Sequence, residues 1–286
     1  MYISVARVSG FWQRTADNVQ RTTLGTMEPK KTEAIILRTR DLGESDLLVT
    51  FFSSLYGNLK GVAKGARRSS KRFVNSLSTF SLVDVEFRER RSGDLVLVES
   101  CELLDGFPGI RSDYNLLLTA SYMVEMTETL FPSNVPSSEM FQLLRFALGS
   151  ISKRQNVDET MIAFQAQAMK IGGFGINLSR CSRCGREYKG EGRALFHPPS
   201  GSIVCLGCEK ESVVTPGMEP DTVYTLHQFQ SSGRPLSNRL ECSDNVVREL
   251  KAVLTSHIEH CLGKRLKSAK YLYPVGCQHV TPTLRF

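Results

Sequence analysis

The sequence predicts an α+β protein of two parts, a small β-barrel followed by an all-α domain that carries an inserted four-cysteine finger. Three observations lead there. Between residues 33 and 104 the apolar residues fall into five runs separated by turn formers, the pattern of a compact all-β unit. From residue 112 the apolar spacing changes to steps of three and four, the period of helices. Within that helical stretch lie two Cys-x-x-Cys pairs, Cys181/Cys184 and Cys205/Cys208, separated by twenty residues rich in glycine, arginine and proline.

The elements can be justified in order. Residues 1–26 have neither strong periodicity nor strong hydrophobicity, and a patterned segment begins directly after Met27. They read as an extension, disordered or upstream of the true start. EAIILRTR, DLLVTFFS and NLKGVAK then read as strands bounded by Asp41-Leu42-Gly43 and Tyr56-Gly57-Asn58. SLSTFSLVDVEFRER and DLVLVESCELL follow, joined by a hairpin turn at Arg91-Ser92-Gly93-Asp94. In the first of these, Val83, Val85 and Phe87 alternate with Asp84, Glu86 and Arg88, as a half-buried strand should. Five strands in about 75 residues match the five-stranded oligonucleotide-binding barrel, and residues 27–106 are assigned to it.

Residues 107–286 are assigned to the helical domain. Ser112 is a candidate cap for a helix through Leu117, Met123 and Leu130 that stops before Pro132. A second helix is expected over residues 138–151. A third opens at Asp158 and is ended by Gly172-Gly173. The cysteine finger, at about 178–211, interrupts the pattern. Helix resumes after Pro220 and again from Ser243 or Asp244, where Val246, Leu250, Val253, Leu254 and Ile258 form one apolar stripe. His257 and His260 stand three apart on that last helix and read as a solvent-facing pair, since no third ligand is near in sequence.

The chain's 286 residues give room for about two domains, and 41% hydrophobic residues is ordinary for a globular protein. No run approaches the roughly 18 apolar residues of a membrane span, and no signal-peptide core stands at the start, so a cytoplasmic location is expected. Cys101, Cys242, Cys261 and Cys277 lack a disulfide-framework spacing, which fits a reducing compartment.

The paired cysteines are the strongest chemical signal. Each Cys-x-x-Cys puts two thiolates on one turn, and two such turns offer four sulfurs at the corners of a tetrahedron, the arrangement of structural zinc. Soft thiolates also suit iron, but iron–sulfur clusters usually come with other spacings. A closed four-sulfur site leaves no open position for a catalytic water, so Zn2+ here is a staple. His197 lies inside the finger and could replace one sulfur, but reads rather as a loop or partner-facing residue.

Charge supplies the second signal. The net charge is +7, and its distribution is uneven. Between Asp46 and Asp84 there is no acid, yet Lys60, Lys64, Arg67, Arg68, Lys71 and Arg72 fall within thirteen residues. No acid follows Glu259, while Lys264, Arg265, Lys267 and Lys270 do; residues 160–186 are also acid-free. Three one-signed segments point to a polyanionic partner, and a basic loop beside a small barrel could track several phosphates. Phosphate-loop, nucleophile-elbow and His-Glu-x-x-His motifs are absent, and the basic segments lack the clustered carboxylates of a metal-dependent nuclease. Phe51, Phe52, Tyr56 and Phe73 flank the loop and could stack on bases, though mid-strand Phe51 and Phe52 read as core.

Taken together, these residues resemble the RecO family of bacterial recombination and repair mediators, from about Met27 onward. The resemblance rests on TEAIILRTRDLGESDLLVTFFSSLYGNLKGVAKGARRSSKR, on MKIGGFGINLSRCSRCG with FHPPSGSIVC and its closing Cys-Leu-Gly-Cys, and on HIEHCLGKRLKSAKYL. It implies an amino-terminal oligonucleotide-binding barrel, a helical domain with an inserted zinc finger, and no enzymatic activity. It also implies binding of single- and double-stranded DNA, strand annealing, and work with RecR to load RecA onto DNA covered by single-strand-binding protein. The expected location is then cytoplasmic and nucleoid-associated. Zinc ligation carries over to Cys181, Cys184, Cys205 and Cys208. DNA contact carries over less sharply to the six cations of residues 60–72, with Lys264, Arg265, Lys267 and Lys270 behind them. The alternative is a zinc-ribbon RNA-binding or transcription-associated protein using the same basic barrel.

Overall fold

A computed structural model describes residues 28–69, 71–90, 93–231 and 242–272. The chain opens with β1 (Lys30–Leu42), β2 (Asp46–Ser53) and β3 (Gly57–Ala63), then a 3-10 turn at Ala66–Arg68, then β4 (Leu82–Arg88) and β5 (Leu95–Asp105). These strands form a closed barrel in the order β1-β2-β3-β5-β4, with β4 returning to β1. All pairs are antiparallel except β3 with β5, where Lys60 to Ala63 run beside Leu95 to Val98. Gly61 makes that closure possible, because a Cβ there would lie 2.7 Å from a Val98 methyl and 2.9 Å from a Val96 methyl. Of the turn expected at residues 91–94, Arg91 and Ser92 lie outside the described residues, as do residues 1–26.

The barrel has two buried faces, which explains its least alternating strand. Ala34 and Ile36 point into the barrel with Phe51, Val85 and Phe87, whereas Ile35, Leu37, Phe52 and Leu82 join the core of the helical domain. A strand buried on both sides reads as a continuous apolar run, hence AIIL. β1 pairs with β4 over residues 30–35 and with β2 from Ala34 to Leu42, sharing Ala34 and Ile35 between them, and a bulge between Ile36 and Arg38 bends it. The expected fourth run is strand only from Leu82. Residues 76–81 are loop, with Phe80 buried at a left-handed φ of 74°.

Helices follow: α1 (Pro108–Arg111), α2 (Tyr114–Leu130), α3 (Ser138–Ser152) and α4 (Val157–Ile171). Asp113, not Ser112, caps α2, its carboxylate accepting from the N–H groups of Asn115 and Leu116. Ser112 instead donates to the Gly109 carbonyl and ends α1. Thr160 to Met169 of α4 are all buried, so this helix is the axis of the domain. The finger then lays down a small sheet, β6 (Ala194–His197), β7 (Ser202–Cys205) and β8 (Gly217–Met218), ordered β7-β6-β8. Helices α5 (Pro220–Ser231), α6 (Asp244–Leu262) and α7 (Ala269–Leu272) complete the described chain. Ser243 caps α6 by accepting from the Val246 N–H.

The two parts are joined by direct contacts. Phe52 of the barrel meets Phe131 edge to face at 5.9 Å. Arg38 pairs with Glu128 at 2.9 Å, and Arg145 with Glu33 at 3.0 Å. The start of β3 lies against residues 133–135, where the Asn134 N–H donates to the Asn58 carbonyl. Gly57, at φ 69°, sits so close to that loop that a Cβ would be 2.0 Å from the Val135 carbonyl oxygen.

Candidate nucleic-acid interface and metal centre

The cationic loop leaves β3 and is shaped by local bonds. Asp46 accepts from the Gly65 N–H and the Ser45 hydroxyl, and these bonds, the Gly65 one first, hold its carboxyl below the usual carboxylate range. The Arg67 N–H donates to the Ser45 carbonyl, tying the 3-10 turn to the β1–β2 turn. Arg72 closes the far end. Its guanidinium donates to the Lys64 carbonyl at 2.9 Å and the Glu99 carbonyl at 3.4 Å and lies over the Phe73 ring at 5.1 Å.

All six cations, Lys60, Lys64, Arg67, Arg68, Lys71 and Arg72, are exposed, Lys60 on β3 and the others on the loop that leaves it. Arg67 approaches Asp41 at 3.7 Å. Among the described residues, Lys60, Lys64, Arg68 and Lys71 form no ion pair with a carboxylate, although the Lys64 charge is felt by Asp46.

The second basic segment is attached elsewhere but not far away. Glu125 on α2 accepts from the N–H groups of Lys267 and Ser268 and from the Ser268 hydroxyl, fastening the start of α7. Burial pushes the Glu125 carboxyl up, but those bonds outweigh it and hold it below its ordinary value. One turn along α2, Glu128 holds Arg38 of β1. Arg38 and the Asp41 that meets Arg67 are three residues apart on β1, roughly 10 Å. The two basic segments are thus tied to β1 at positions three residues apart, Arg38 through α2 and Asp41 directly, which alternate between the strand's two faces. Lys264, Lys267 and Lys270 are exposed, while Arg265 is half-buried beside Glu259. The capping role of Glu125 was not legible in the sequence, because its partners lie more than 140 residues away.

In the finger, Cys181 Sγ, Cys184 Sγ, Cys205 Sγ and Cys208 Sγ all lie within 4.8 Å of one another. Cys184 Sγ and Cys205 Sγ are 3.8 Å apart, the edge of a tetrahedron built on bonds of about 2.3 Å. Two turns present them. Gly185, Cys208 and Glu209 donate backbone N–H groups to the carbonyls of Cys181, Cys205 and Cys205, and the Cys205 N–H donates to Cys181 Sγ. Burial pushes the Cys181 thiol up, but the N–H groups of Cys184, Cys205 and Arg183 outweigh it and bring it down to about 6. Contact with the Cys205 and Cys184 thiols pushes Cys208 up to about 12. Metal binding requires the thiols to be deprotonated, so any ion held here would be bound more weakly as pH falls. The four cysteines could hold a metal ion.

His197 stays out of that cluster and bonds Ser200 through Nδ1. His257 corrects the expectation of a solvent-facing pair. It is 2% exposed, its Nε2 donates to the Phe174 carbonyl at 2.6 Å, and its ring meets Phe196 edge to face. Phe73, one of the rings considered for stacking, is buried, as are Phe51 and Phe52.

The finger is clamped to the helices by Arg193. Its guanidinium binds Glu211 from two sides, Glu219, and the buried Glu249 at 3.0 Å; Glu249 also accepts from the Glu219 N–H and the Thr222 hydroxyl at the start of α5. The finger's hairpin pairs ALFH with SIVC, runs of four residues that are too short to show a strand period in the sequence.

Fold and site together define a barrel-and-helix protein with a cationic barrel rim and a four-cysteine centre. Residues 27–107 match the family model for the Recombination protein O N terminal, and residues 111–270 that for the Recombination protein O C terminal. The DNA repair protein RecO of Syntrophus aciditrophicus is 32% identical over 253 residues, covering 87% of this chain and 97% of the relative. That of Anaeromyxobacter dehalogenans is 31% identical over 250 residues, covering 87% and 98%. That of Myxococcus xanthus is 32% identical over 254 residues, covering 87% and 99%. The chain belongs to the RecO family of DNA repair and recombination proteins. Among the described residues no helix is long and apolar enough to cross a membrane.

Proposed function

We propose that this protein is a non-enzymatic recombination mediator that binds single- and double-stranded DNA, anneals complementary strands, and with RecR loads RecA onto DNA covered by single-strand-binding protein. It acts in the cytoplasm at the nucleoid. The division of labour follows residues 27–106 as the DNA-binding barrel and residues 107–286 as the helical platform, with the finger at 178–211 held by structural zinc on Cys181, Cys184, Cys205 and Cys208. Four thiolates leave zinc no open position, so its chemistry is to staple and not to activate water.

The observation that carries the reading is the barrel rim, where exposed Lys60, Lys64, Arg68 and Lys71 form no ion pair with a carboxylate among the described residues. Phosphates approaching those cations release condensed counterions, which supplies affinity without sequence preference. A cationic rim also lowers the repulsion between two strands, which is what slows their pairing. The second basic segment, through Lys264, Lys267 and Lys270, extends the same field from the helical side.

Fluorescence anisotropy with labelled single-stranded DNA tests this directly. Replacing Lys64, Arg67, Arg68 and Lys71 together by alanine is expected to weaken binding at least tenfold and to flatten the slope of log affinity against log salt by about three. Unchanged affinity and slope would remove the loop from the DNA site. Matched RNA in the same titration decides against the zinc-ribbon RNA-binding alternative if DNA binds equally or better.

A further inference from the structure

We propose that the barrel recognises the sugar-phosphate backbone alone and makes no stacking contact with bases, a specificity that rests on the reading of the rim as the DNA site. Oligonucleotide-binding barrels that hold single strands usually combine a cationic groove with accessible rings on which bases stack. This barrel has the first element without the second. From residue 28 to residue 105 the sequence contains six aromatic residues, and none of them is among Ser70, Arg91 and Ser92, which lie outside the described residues.

Each of the six rings is already engaged. Phe51 and Phe87 fill the barrel interior and Phe52 the joint with the helices, none more than 1% exposed. Phe80 is buried in the same joint. Phe73, beside the loop, is 5% exposed and has the Arg72 guanidinium over its ring. Tyr56 is half-buried, stands edge-on to Phe87 at 5.3 Å, and carries the Lys30 ammonium over its ring at 5.1 Å. Tyr56, the most exposed of the six, and Phe73, beside the loop, thus each present a face to a cation of the chain itself. A strand on this rim keeps its bases unstacked by protein, and therefore open to a complementary strand.

Exposed tyrosines do occur on the helical side. Among the described residues Tyr271, 55% exposed next to Lys270, is the one within the second basic segment. The test must therefore separate the barrel from Tyr271. Wild-type protein and Tyr271→Leu are titrated by anisotropy with a single-stranded oligonucleotide and with an abasic strand of the same length, each also with the four loop cations replaced by alanine. In the Tyr271→Leu chain the abasic strand is expected to bind within twofold of the base-bearing one. Since one stacked base is worth about tenfold, a preference of tenfold or more for the base-bearing strand in that chain overturns the inference. If the loop replacements change neither titration, the rim is not the DNA site and the inference falls with it. If they weaken both strands equally, the rim binds backbone as stated.

Discussion

Arg72 illustrates that a cation in a basic loop need not be there for its charge. Its guanidinium spans the carbonyls of Lys64 and Glu99, which fixes both ends of the loop that carries the other cations. A lysine keeps the charge but presents a single compact ammonium in place of the planar fork. Arg72→Lys is therefore expected to weaken DNA binding about fivefold, the loss of roughly 1 kcal/mol of loop ordering, whereas Lys71→Arg should stay within twofold. Equal affinities for wild type and Arg72→Lys in a salt-matched titration would make Arg72 an ordinary phosphate contact. His257 makes the corresponding point for a buried base. Burial, with a smaller push from His260, lowers its pKa to about 4 from the usual 6.5, against the opposing pull of the Phe174 carbonyl. Between those two values the unfolded chain takes up a proton that the folded chain refuses, so stability rises with pH through that window and is lost on acidification. The loss from pH 7 to pH 4 attributable to this residue is about 3 kcal/mol. Urea melts of wild type and His257→Gln across the range check it; the difference between them should shrink as pH falls, and a constant difference would contradict the buried neutral imidazole. The position was legible even though its burial was not expected. Residue 257 stands four after Val253 and three after Leu254, on the apolar stripe of α6, and its polar identity outweighed its place in the period.

At the scale of elements, the long periodic segments were readable because burial of one face writes itself into the sequence. The stripe of α6, the alternation of β4 and the glycine stop after α4 all fall where the spacing put them. What escaped was short or held by distant partners. The strands of the finger are four residues or fewer, too short for a period, and they are stabilised by packing Phe196 and Ile203 into the helical core. Their attachment depends on the Arg193 clamp, whose carboxylates come from the finger, the approach to α5, and α6 itself. Glu249 is the buried member, and it satisfies Arg193, the Glu219 N–H and the Thr222 hydroxyl together. Glu249→Ala removes the carboxylate that the Glu219 N–H and the Thr222 hydroxyl donate to, while Arg193 keeps Glu211 and Glu219, and should cost about 2–3 kcal/mol. Hydrogen exchange should locate the damage at β8 and the first turn of α5, with the barrel strands unaffected. Uniform loss of protection over both parts would mean the clamp supports the whole molecule and not the finger.

The whole molecule has two apolar cores of different ownership, and this determines what the metal centre can do. Phe51, Val85 and Phe87 belong to a core enclosed by the barrel alone. Ala194, Phe196 and Ile203, on strands that end at or beside the cysteines, belong to the core shared by all the larger helices and by the outer face of β1 and β2. If the four cysteines hold a metal ion as proposed, its loss would loosen the finger first, and through Phe196 the helical core. The barrel keeps its inner core and its cationic loop, which is pinned by Asp46 and Arg72 within the barrel itself. Cys184→Ser is the suitable probe, because Cys184 is exposed and a hydroxyl there creates no buried defect. The expected result is a protein that no longer retains one zinc per chain, melts about 5–10 °C lower, and loses hydrogen-exchange protection in residues 178–211 and α5. Its affinity for single-stranded DNA and the salt slope of that affinity should stay within twofold of wild type, measured below the lowered melting temperature. A chelator strong enough to strip thiolate-bound zinc should reproduce the same pattern in the unaltered chain. Were DNA binding to collapse while the barrel strands kept their protection, the finger would have to be part of the DNA surface, and the separation of staple from binding rim would be wrong.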